Sequence, residues 1–468
     1  MTTASSSPCI SLNSAEVRSA LSAMMPELRA HWSRPLRDWA EFVYTLPAVP
    51  SRHPVRIDAC RRLSQLVECV ALRTGYSADD AAAARLQIER VPVLQTGPHC
   101  HLLVEPDAFY THHFSLIGLQ AHDLNWHFWY GTSTVKFLES AGKGPGWLKI
   151  NDHPVNVFGL PRRRMDAFSV CGISTERFRF ELRCNGHQED AVRTLSRWLP
   201  DAEFPSAAEA IKTANIALWA RSMSKETKLL QLDDFDIADL VAGHLEDPSS
   251  WLSRHLCGDN CFGKALLDFT RLLDAEPWGG WVRTTTDLFW GLSDGRLFPL
   301  RLHEDGLEGK GKRYPPICFE PESLARALRA REIVPSLILT FLVLSILPGT
   351  RVLGGCRQVV YYPLMRRIVC AALARCGAGD VGDDIESDVQ LGVWGHRVLK
   401  PRFLEPINEM QSSDASARLD MFGSRHLEDA CGDLSSFTRD PLWAGLCGRI
   451  DPASPSIDLP DFRGLERW

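Results

Sequence analysis

Two short apolar runs, each leading into glycine, constrain the fold of this chain more than any other feature. The first is Val91–Leu94, which is followed by Thr96-Gly97-Pro98, and the second begins at Val352 and runs into Gly354-Gly355. Short apolar runs bounded by turn residues are typical of strands buried in a sheet. We therefore predict a central sheet that contains both runs, with a glycine-containing loop at the end of each strand.

Helical patterns lie between the strand-like segments. A capping box predicts the start of a helix over Ser206–Met223, and Leu229–Leu245 and Phe262–Leu273 also have helical spacing. Gly377–Asp388 is acidic and glycine-rich, which predicts a surface loop. Strands that alternate with helices favour an α/β fold over an all-α or all-β fold.

The chain divides into three predicted regions. Residues 1–90 form a helical N-terminal region, and residues 91–400 form an α/β core with an inserted helical segment around 206–275. Residues 401–468 form a C-terminal extension that packs on the core. The fold class that we predict is an α/β core with added helices and a mixed α+β extension.

Composition and two local segments argue against several classes of protein. The 468 residues include 52 Lys and Arg against 58 Asp and Glu, a net charge of -6 that provides no general basic surface for nucleic acid. The longest apolar run, Ile333–Leu347, contains Pro335 and is shorter than the roughly 20 residues of a membrane-spanning helix. The Ser/Thr-rich residues 1–8 lack the apolar stretch of a secretory signal. We expect a cytoplasmic protein with reduced cysteines and with neither a nucleic acid nor a membrane as partner.

The segment after the first predicted strand is rich in groups that could carry chemistry. A glycine turn after a strand exposes backbone N–H groups that can bind an anion or a substrate carboxylate. His99 is the predicted general base, because an imidazole ordinarily titrates near neutral pH. No H-E-x-x-H or C-x-x-C pattern is present, so no metal is predicted. A metal-dependent enzyme that uses the histidine cluster stays an alternative, with six members: His99, His101, His112, His113, His122 and His127.

The second glycine segment offers Arg, Gln and Tyr side chains. Gln358 and Tyr361 are three residues apart, so they share one face if this segment is helical. We predict that Thr96–His101 and Gly354–Tyr361 line one pocket. The predicted substrate-binding residues are Thr96, Gly97, His101, Tyr110, Asn125, Thr132, Ser133, Gly354, Gly355, Arg357, Gln358 and Tyr361.

The order of these segments resembles the bacillithiol-biosynthesis cysteine-adding enzymes. Over roughly residues 60–375, the resemblance rests on three blocks in the same order. The third block is a Gly-Gly-Pro-x-Glu-x-x-Tyr pattern that this chain matches at Gly354–Tyr361, with Gln358 in place of the glutamate. The family's acidic stretch is absent from Leu124–Phe128, and its C-terminal coiled coil is absent as well. The first block is matched at Thr96, Gly97, Leu102, Leu103, Pro106, Tyr110 and Thr111.

The resemblance implies a Rossmann-like parallel sheet and a ligase-like biosynthetic enzyme. Such an enzyme would condense the amine of an amino acid with a small electrophilic partner, in specialised metabolism. The alternative to an enzyme is a non-catalytic binding protein on a degenerated enzyme fold. The sequence leaves the cofactor open, with a nucleotide as one option, and it leaves the oligomeric state open, with a homodimer as one option.

Overall fold

The computed structural model describes most of the chain. The described residues are 12–47, 52–139, 144–150, 153–173, 177–184, 189–257, 261–274, 277–304, 306–309, 315–389, 391–400, 406–412, 414–450, 458–460 and 462. All statements on structure below concern these residues.

Helices and strands alternate through the chain. The α-helices are α1 Ser14–Met24, α2 Leu36–Tyr44, α3 Pro54–Arg73, α4 Ala78–Arg90, α5 Pro106–Ala121, α6 Arg162–Ala167, α7 Glu189–Trp198, α8 Ala207–Ser222, α9 Asp234–Leu245, α10 Trp251–Leu256, α11 Cys261–Leu273, α12 Pro321–Arg329, α13 Leu337–Phe341, α14 Gln358–Arg375, α15 Gly379–Glu386, α16 Pro406–Ser412, α17 Ala415–Gly423, α18 Leu427–Ala430, α19 Ser435–Thr438 and α20 Pro441–Cys447. The strands are β1 Val93–Gln95, β2 Trp126–Tyr130, β3 Trp147–Ile150, β4 His153–Asn156, β5 Arg183–Cys184, β6 Lys228–Leu232, β7 Phe289–Ser293, β8 Arg296–His303, β9 Gly306–Gly309, β10 Ile317–Cys318, β11 Ile333–Pro335, β12 Arg351–Gly354 and β13 Gly392–Trp394.

A five-stranded sheet forms the centre of the protein, in the order β13-β12-β1-β2-β6. Every neighbouring pair in it is parallel, and β1, β2 and β12 are buried along their whole length. Burial of this kind is usual for parallel sheets, which helices cover on both faces. The prediction of an α/β fold with both glycine-terminated strands in its sheet is confirmed.

The strand order reverses between β1 and β12. From β1 the chain adds β2 and then β6 towards one edge, and afterwards it returns to β1 and adds β12 and β13 towards the other edge. Val93 pairs with Arg351 and Gln95 pairs with Leu353, so the two central strands end side by side. The loops that follow β1 and β12 are therefore neighbours in space.

Two antiparallel sheets complete the described strands. One has the order β10-β9-β8-β7-β11, and the other has the order β3-β4-β5. The apolar run Ile333–Leu347 supplies β11, then α13, and then a π-helical turn over Leu342–Ile346. No described helix combines the length and apolar character that crossing a membrane requires.

Two local predictions were wrong. The segment around 206–275 is not purely helical, because Lys228–Leu232 forms β6 and pairs with β2, and the helix α9 begins only at Asp234. Gly377–Asp388 is largely the helix α15 rather than a loop. Burial of Val381 and Ile385 on α15 explains the second difference, because tertiary packing outweighs the low helix propensity of glycine and aspartate.

Candidate functional site

A cavity of about 470 Å³ opens at the carboxyl edge of the parallel sheet. Its walls come from the segments that follow β1, β2, β12 and β13, together with Trp281 and Phe341. In open α/β sheets, ligands bind outside the carboxyl ends of the strands at the point where the strand order reverses. This cavity lies at that point, between the ends of β1 and β12.

A hydrogen-bond network joins the two glycine segments. The Thr96 hydroxyl donates to Leu353 O at 3.0 Å and accepts from Gln358 Nε2 at 2.7 Å. The Tyr361 hydroxyl donates to Gln358 Oε1 at 3.2 Å. Burial raises the pKa of the Tyr361 phenol, so this group remains a protonated donor at neutral pH. The network fixes the Gln358 amide at the cavity wall.

The ring of His396, which follows β13, packs closely against both glycine segments. A Cβ atom on Gly97 would lie 2.7 Å from His396 Cγ, and a Cβ atom on Gly355 would lie 3.0 Å from His396 Cδ2. His396 Nδ1 is 2.9 Å from the hydroxyl oxygen of Thr111 on α5. A Cβ atom at Gly97 would therefore force the imidazole to move, whereas one at Gly355 would require it to yield by only a few tenths of an ångström.

Two histidines and a glutamate also meet at the cavity. His99 Nδ1 is 2.5 Å from Glu139 Oε1, and His101 Nε2 is 3.4 Å from Glu139 Oε2. The His101 side chain is only 4% exposed, whereas that of His99 is 50% exposed and reaches solvent. Burial raises the pKa of Glu139, but the hydrogen bonds to His101 and His99 outweigh it and the net pKa is lowered. The Glu139 carboxylate is therefore ionised at neutral pH.

Charges of both signs line the cavity. Arg397 pairs with Asp107 at 2.7 Å, and Arg357 pairs through Nε with Asp440 at 2.6 Å. Arg283 is exposed at the cavity and makes no ion pair with any residue that the structure describes. A lining with separate anionic and cationic groups suits a zwitterionic ligand better than an apolar one.

The structure brings most of the predicted site residues to this cavity. Both glycine segments contribute to its lining, as the sequence analysis expected. The predicted residues that line it are His99, Thr96, Gly97, His101, Thr132, Gly355, Arg357, Gln358 and Tyr361.

Tyr110 and Asn125 lie elsewhere. Tyr110 is buried on α5, where its ring meets that of Phe422 edge to face at 5.6 Å. Asn125 immediately precedes β2, at the amino edge of the sheet, and its backbone N–H donates to Gln87 Oε1 at 3.0 Å. Neither residue lines this cavity.

Ser133 and Gly354 do not line the cavity, but each contacts or adjoins a residue near it. Ser133 is fully buried, and its hydroxyl donates to Asp234 Oδ2 at 3.0 Å. Gly354 is the last residue of β12, and a Cβ atom there would lie 2.1 Å from Cδ of Gln358. The absence of a side chain at Gly354 thus makes room for the Gln358 amide. The sequence analysis predicted Ser133 and Gly354 as substrate-binding residues and not in this structural role.

The six-histidine cluster separates into distinct groups. Only His99 and His101 reach the cavity. His112 and His127 are fully buried between α5 and β2, where His112 Nδ1 is 2.9 Å from His127 Nε2. His113 is buried on α5 beside Phe109 O, and His122 bonds to Glu41 O at the surface. A single metal site over 99–127 is therefore excluded for these six side chains.

Sequence reasoning missed Glu139, Arg283 and His396. His396 follows Gly395 and the short buried strand β13, so the signal of an apolar run that ends at glycine was present there too. No comparable signal marks Glu139 or Arg283, because each lies in a loop whose position depends on the whole fold.

No protein-family model matches this sequence, and no match is found among curated proteins. The resemblance to the bacillithiol-biosynthesis enzymes therefore stays a prediction.

Proposed function

We propose that this protein is a ligase-like biosynthetic enzyme that joins the amine of an amino acid to a small electrophilic partner. The observation that supports it most is the meeting of the two glycine segments through Thr96 and Gln358. This contact places hydroxyl, amide and backbone groups from β1 and β12 in one cavity. Two substrates can be held against each other there, and such positioning can supply a large part of a condensation rate.

The parallel sheet is, in this proposal, a Rossmann-like core of a cytoplasmic enzyme in specialised metabolism. Numbered along the chain within the sheet, the strand order is 3-2-1-4-5, which agrees with the dinucleotide-binding arrangement. A shared strand order does not specify the reaction, because unrelated activities occur on the same fold.

The mixed charges of the cavity support an amino acid as one substrate. In the proposed complex, Arg283 binds the carboxylate through its forked N–H donors. Gln358 Oε1 and the Tyr361 hydroxyl orient the amine, and Glu139 contributes negative charge nearby. The volume of about 470 Å³ is within the range of small-molecule sites.

Loss of a proton from the amine has to precede its attack on the electrophile, because an ammonium group has no lone pair. We propose that the cluster of His99, His101 and Glu139 accepts this proton. When the group holds no metal, His99 is the acceptor, because its hydrogen bond from Nδ1 to Glu139 orients the ring and leaves Nε2 as the basic nitrogen.

Calorimetric titration with the twenty common amino acids tests substrate binding. We expect one chemical class to bind, and we expect its N-acetyl derivative to bind at least tenfold more weakly. Gln358→Ala should lose binding, whereas Arg367→Ala, which changes a partly exposed residue on the same helix, should retain it.

Turnover is tested separately with the amino acid that binds. The protein is incubated with the 15N-labelled amino acid and a deproteinised metabolite extract, and mass spectrometry follows the label. A new labelled product that is absent with Gln358→Ala supports the proposal. If no amino acid binds, or if binding is unchanged in Gln358→Ala, the proposal is wrong.

A further inference from the structure

We propose that His99, His101 and Glu139 bind one divalent transition-metal ion at the cavity wall. One ligand atom from each of the three residues lies within 4.8 Å of those of the other two. Metal–ligand bonds of about 2.0–2.2 Å place neighbouring ligand atoms on one ion a little over 3 Å apart, so only small side-chain shifts are needed. This inference rests on the proposed function for its chemical role, but not for the binding itself.

The backbone holds the two histidines side by side. The backbone N–H of His101 donates to His99 O at 2.7 Å, and this hydrogen bond closes a tight turn between the two histidines. Cys100 between them is buried, and its N–H donates to Thr132 O at 2.9 Å, which ties the turn to the segment after β2. The backbone positions of both histidines relative to Thr132 are therefore fixed by hydrogen bonds.

Glu139 is also positioned by packing. Phe137, two residues earlier, is fully buried, and its carbonyl oxygen accepts from the N–H of Gly146 at 3.0 Å. A Cβ atom on Gly144 would lie 2.4 Å from Phe137 O and 2.9 Å from the Glu139 nitrogen. The chain at Gly144 thus presses directly against the segment that carries the carboxylate.

Two nitrogens and one carboxylate oxygen are the donors of catalytic zinc sites and of non-haem iron(II) sites. Imidazole favours Zn²⁺, Fe²⁺ or Co²⁺ over Mg²⁺, which prefers oxygen ligands. His99 and Glu139 both line the cavity, so the remaining coordination positions face the substrate space. Such an open position would hold a water molecule.

The bound metal would change how the amine loses its proton. Coordination to Zn²⁺ lowers the pKa of water to about 7. The resulting hydroxide accepts one proton from the substrate ammonium group, which produces metal-bound water and a neutral amine. In the metal-loaded protein the hydroxide, rather than His99, is therefore the proton acceptor, and the three side chains serve as ligands.

Calorimetry with ZnCl₂ on the full chain, after chelator treatment and dialysis, tests the site. We expect one Zn²⁺ per chain, with MgCl₂ giving no measurable binding. Glu139→Gln and His101→Ala should each weaken binding by about 100-fold or more, since even the outer partners of metal ligands contribute 10–100-fold. His153→Ala, on the exposed start of β4, is the matched control and should bind like the wild type.

Circular dichroism of each variant shows whether it folds, and Co²⁺ provides a second readout. Co²⁺ bound by two imidazoles and a carboxylate at low coordination number should absorb visible light far more strongly than the aquo ion, and Glu139→Gln should lose this band. No stoichiometric binding, or full affinity in folded Glu139→Gln, would overturn the metal site. Condensation activity that is the same with and without Zn²⁺ would overturn the proton-accepting role of the metal-bound hydroxide while leaving the proposed function intact. Metal binding without any labelled product would count against the proposed function alone.

Discussion

The buried His127 should make the stability of this protein depend on pH. His127 is fully buried, its ring stacks on Trp219 at 5.1 Å, and Nε2 meets His112 Nδ1. Burial lowers the pKa of His127 from its usual 6.5 to about 3. The folded protein therefore keeps this imidazole neutral at pH values where the unfolded chain protonates it.

The sign and size of the effect follow from this difference. Because the folded pKa is depressed, the unfolded state binds the additional proton between pH 6.5 and about 3, so stability falls as the pH is lowered through that window. At pH 5 the unfolded chain is 1.5 pH units below its own pKa of about 6.5, which corresponds to a loss of about 2 kcal/mol relative to pH 7.

Urea unfolding followed by tryptophan fluorescence at pH 7 and pH 5 measures the effect. His127→Gln removes the titrating group. Between pH 7 and pH 5, the free energy of unfolding should therefore fall less in His127→Gln than in the wild type, and the two decreases should differ by about 2 kcal/mol. Only this difference is compared, since the substitution has its own constant cost. His153→Gln, at an exposed position, should behave as the wild type. Equal pH dependence in the wild type and His127→Gln would refute the reasoning.

Two substitutions test the architecture of the cavity. Gly97→Ala should abolish amino acid binding, because the new Cβ would lie 2.7 Å from His396 Cγ, whereas Gly379→Ala should be neutral or slightly stabilising, since nothing lies within 4 Å of the added atom. Calorimetry on both folded variants checks this, and unchanged binding in Gly97→Ala would contradict it. Thr96→Val should lower the free energy of unfolding by about 1–3 kcal/mol, because the buried Gln358 amide loses its partner, and Thr96→Ser should restore most of it. Thermal unfolding measures this, and equal midpoints for Thr96→Val and wild type would exclude a structural role for the hydroxyl.

The sequence by itself determined the two central strands and the glycine segments that follow them. The strands Val93–Gln95 and Arg351–Gly354 are short, contain an apolar pair of residues and lead into turn residues. This local pattern is typical of strands that are buried in a parallel sheet. The prediction that the two glycine segments share a pocket needed only one further assumption, that their strands are adjacent and parallel. Adjacent parallel strands end at the same edge of the sheet.

Other elements depended on long-range packing. Lys228–Leu232 has a pattern that suits the start of a helix, and only pairing with β2 makes it a strand. In α15, glycine and aspartate disfavour a helix, but Arg56 pairs with Asp384 and Asp388 and stabilises it against α3. The residues of a segment do not specify which strand or helix it will pack against. The secondary structure of these two segments could therefore not be predicted from their own residues.

Only the tertiary structure decided which side chains face the cavity. Tyr110 and Asn125 occur in chemically suggestive segments, yet the helix phase buries the first and strand direction places the second at the opposite edge. Conversely, Glu139 meets His99 across 40 residues of chain, and His396 reaches Gly97 across about 300. Such contacts depend on where separate loops come together above the sheet, and this is determined by the packing of all the elements beneath them.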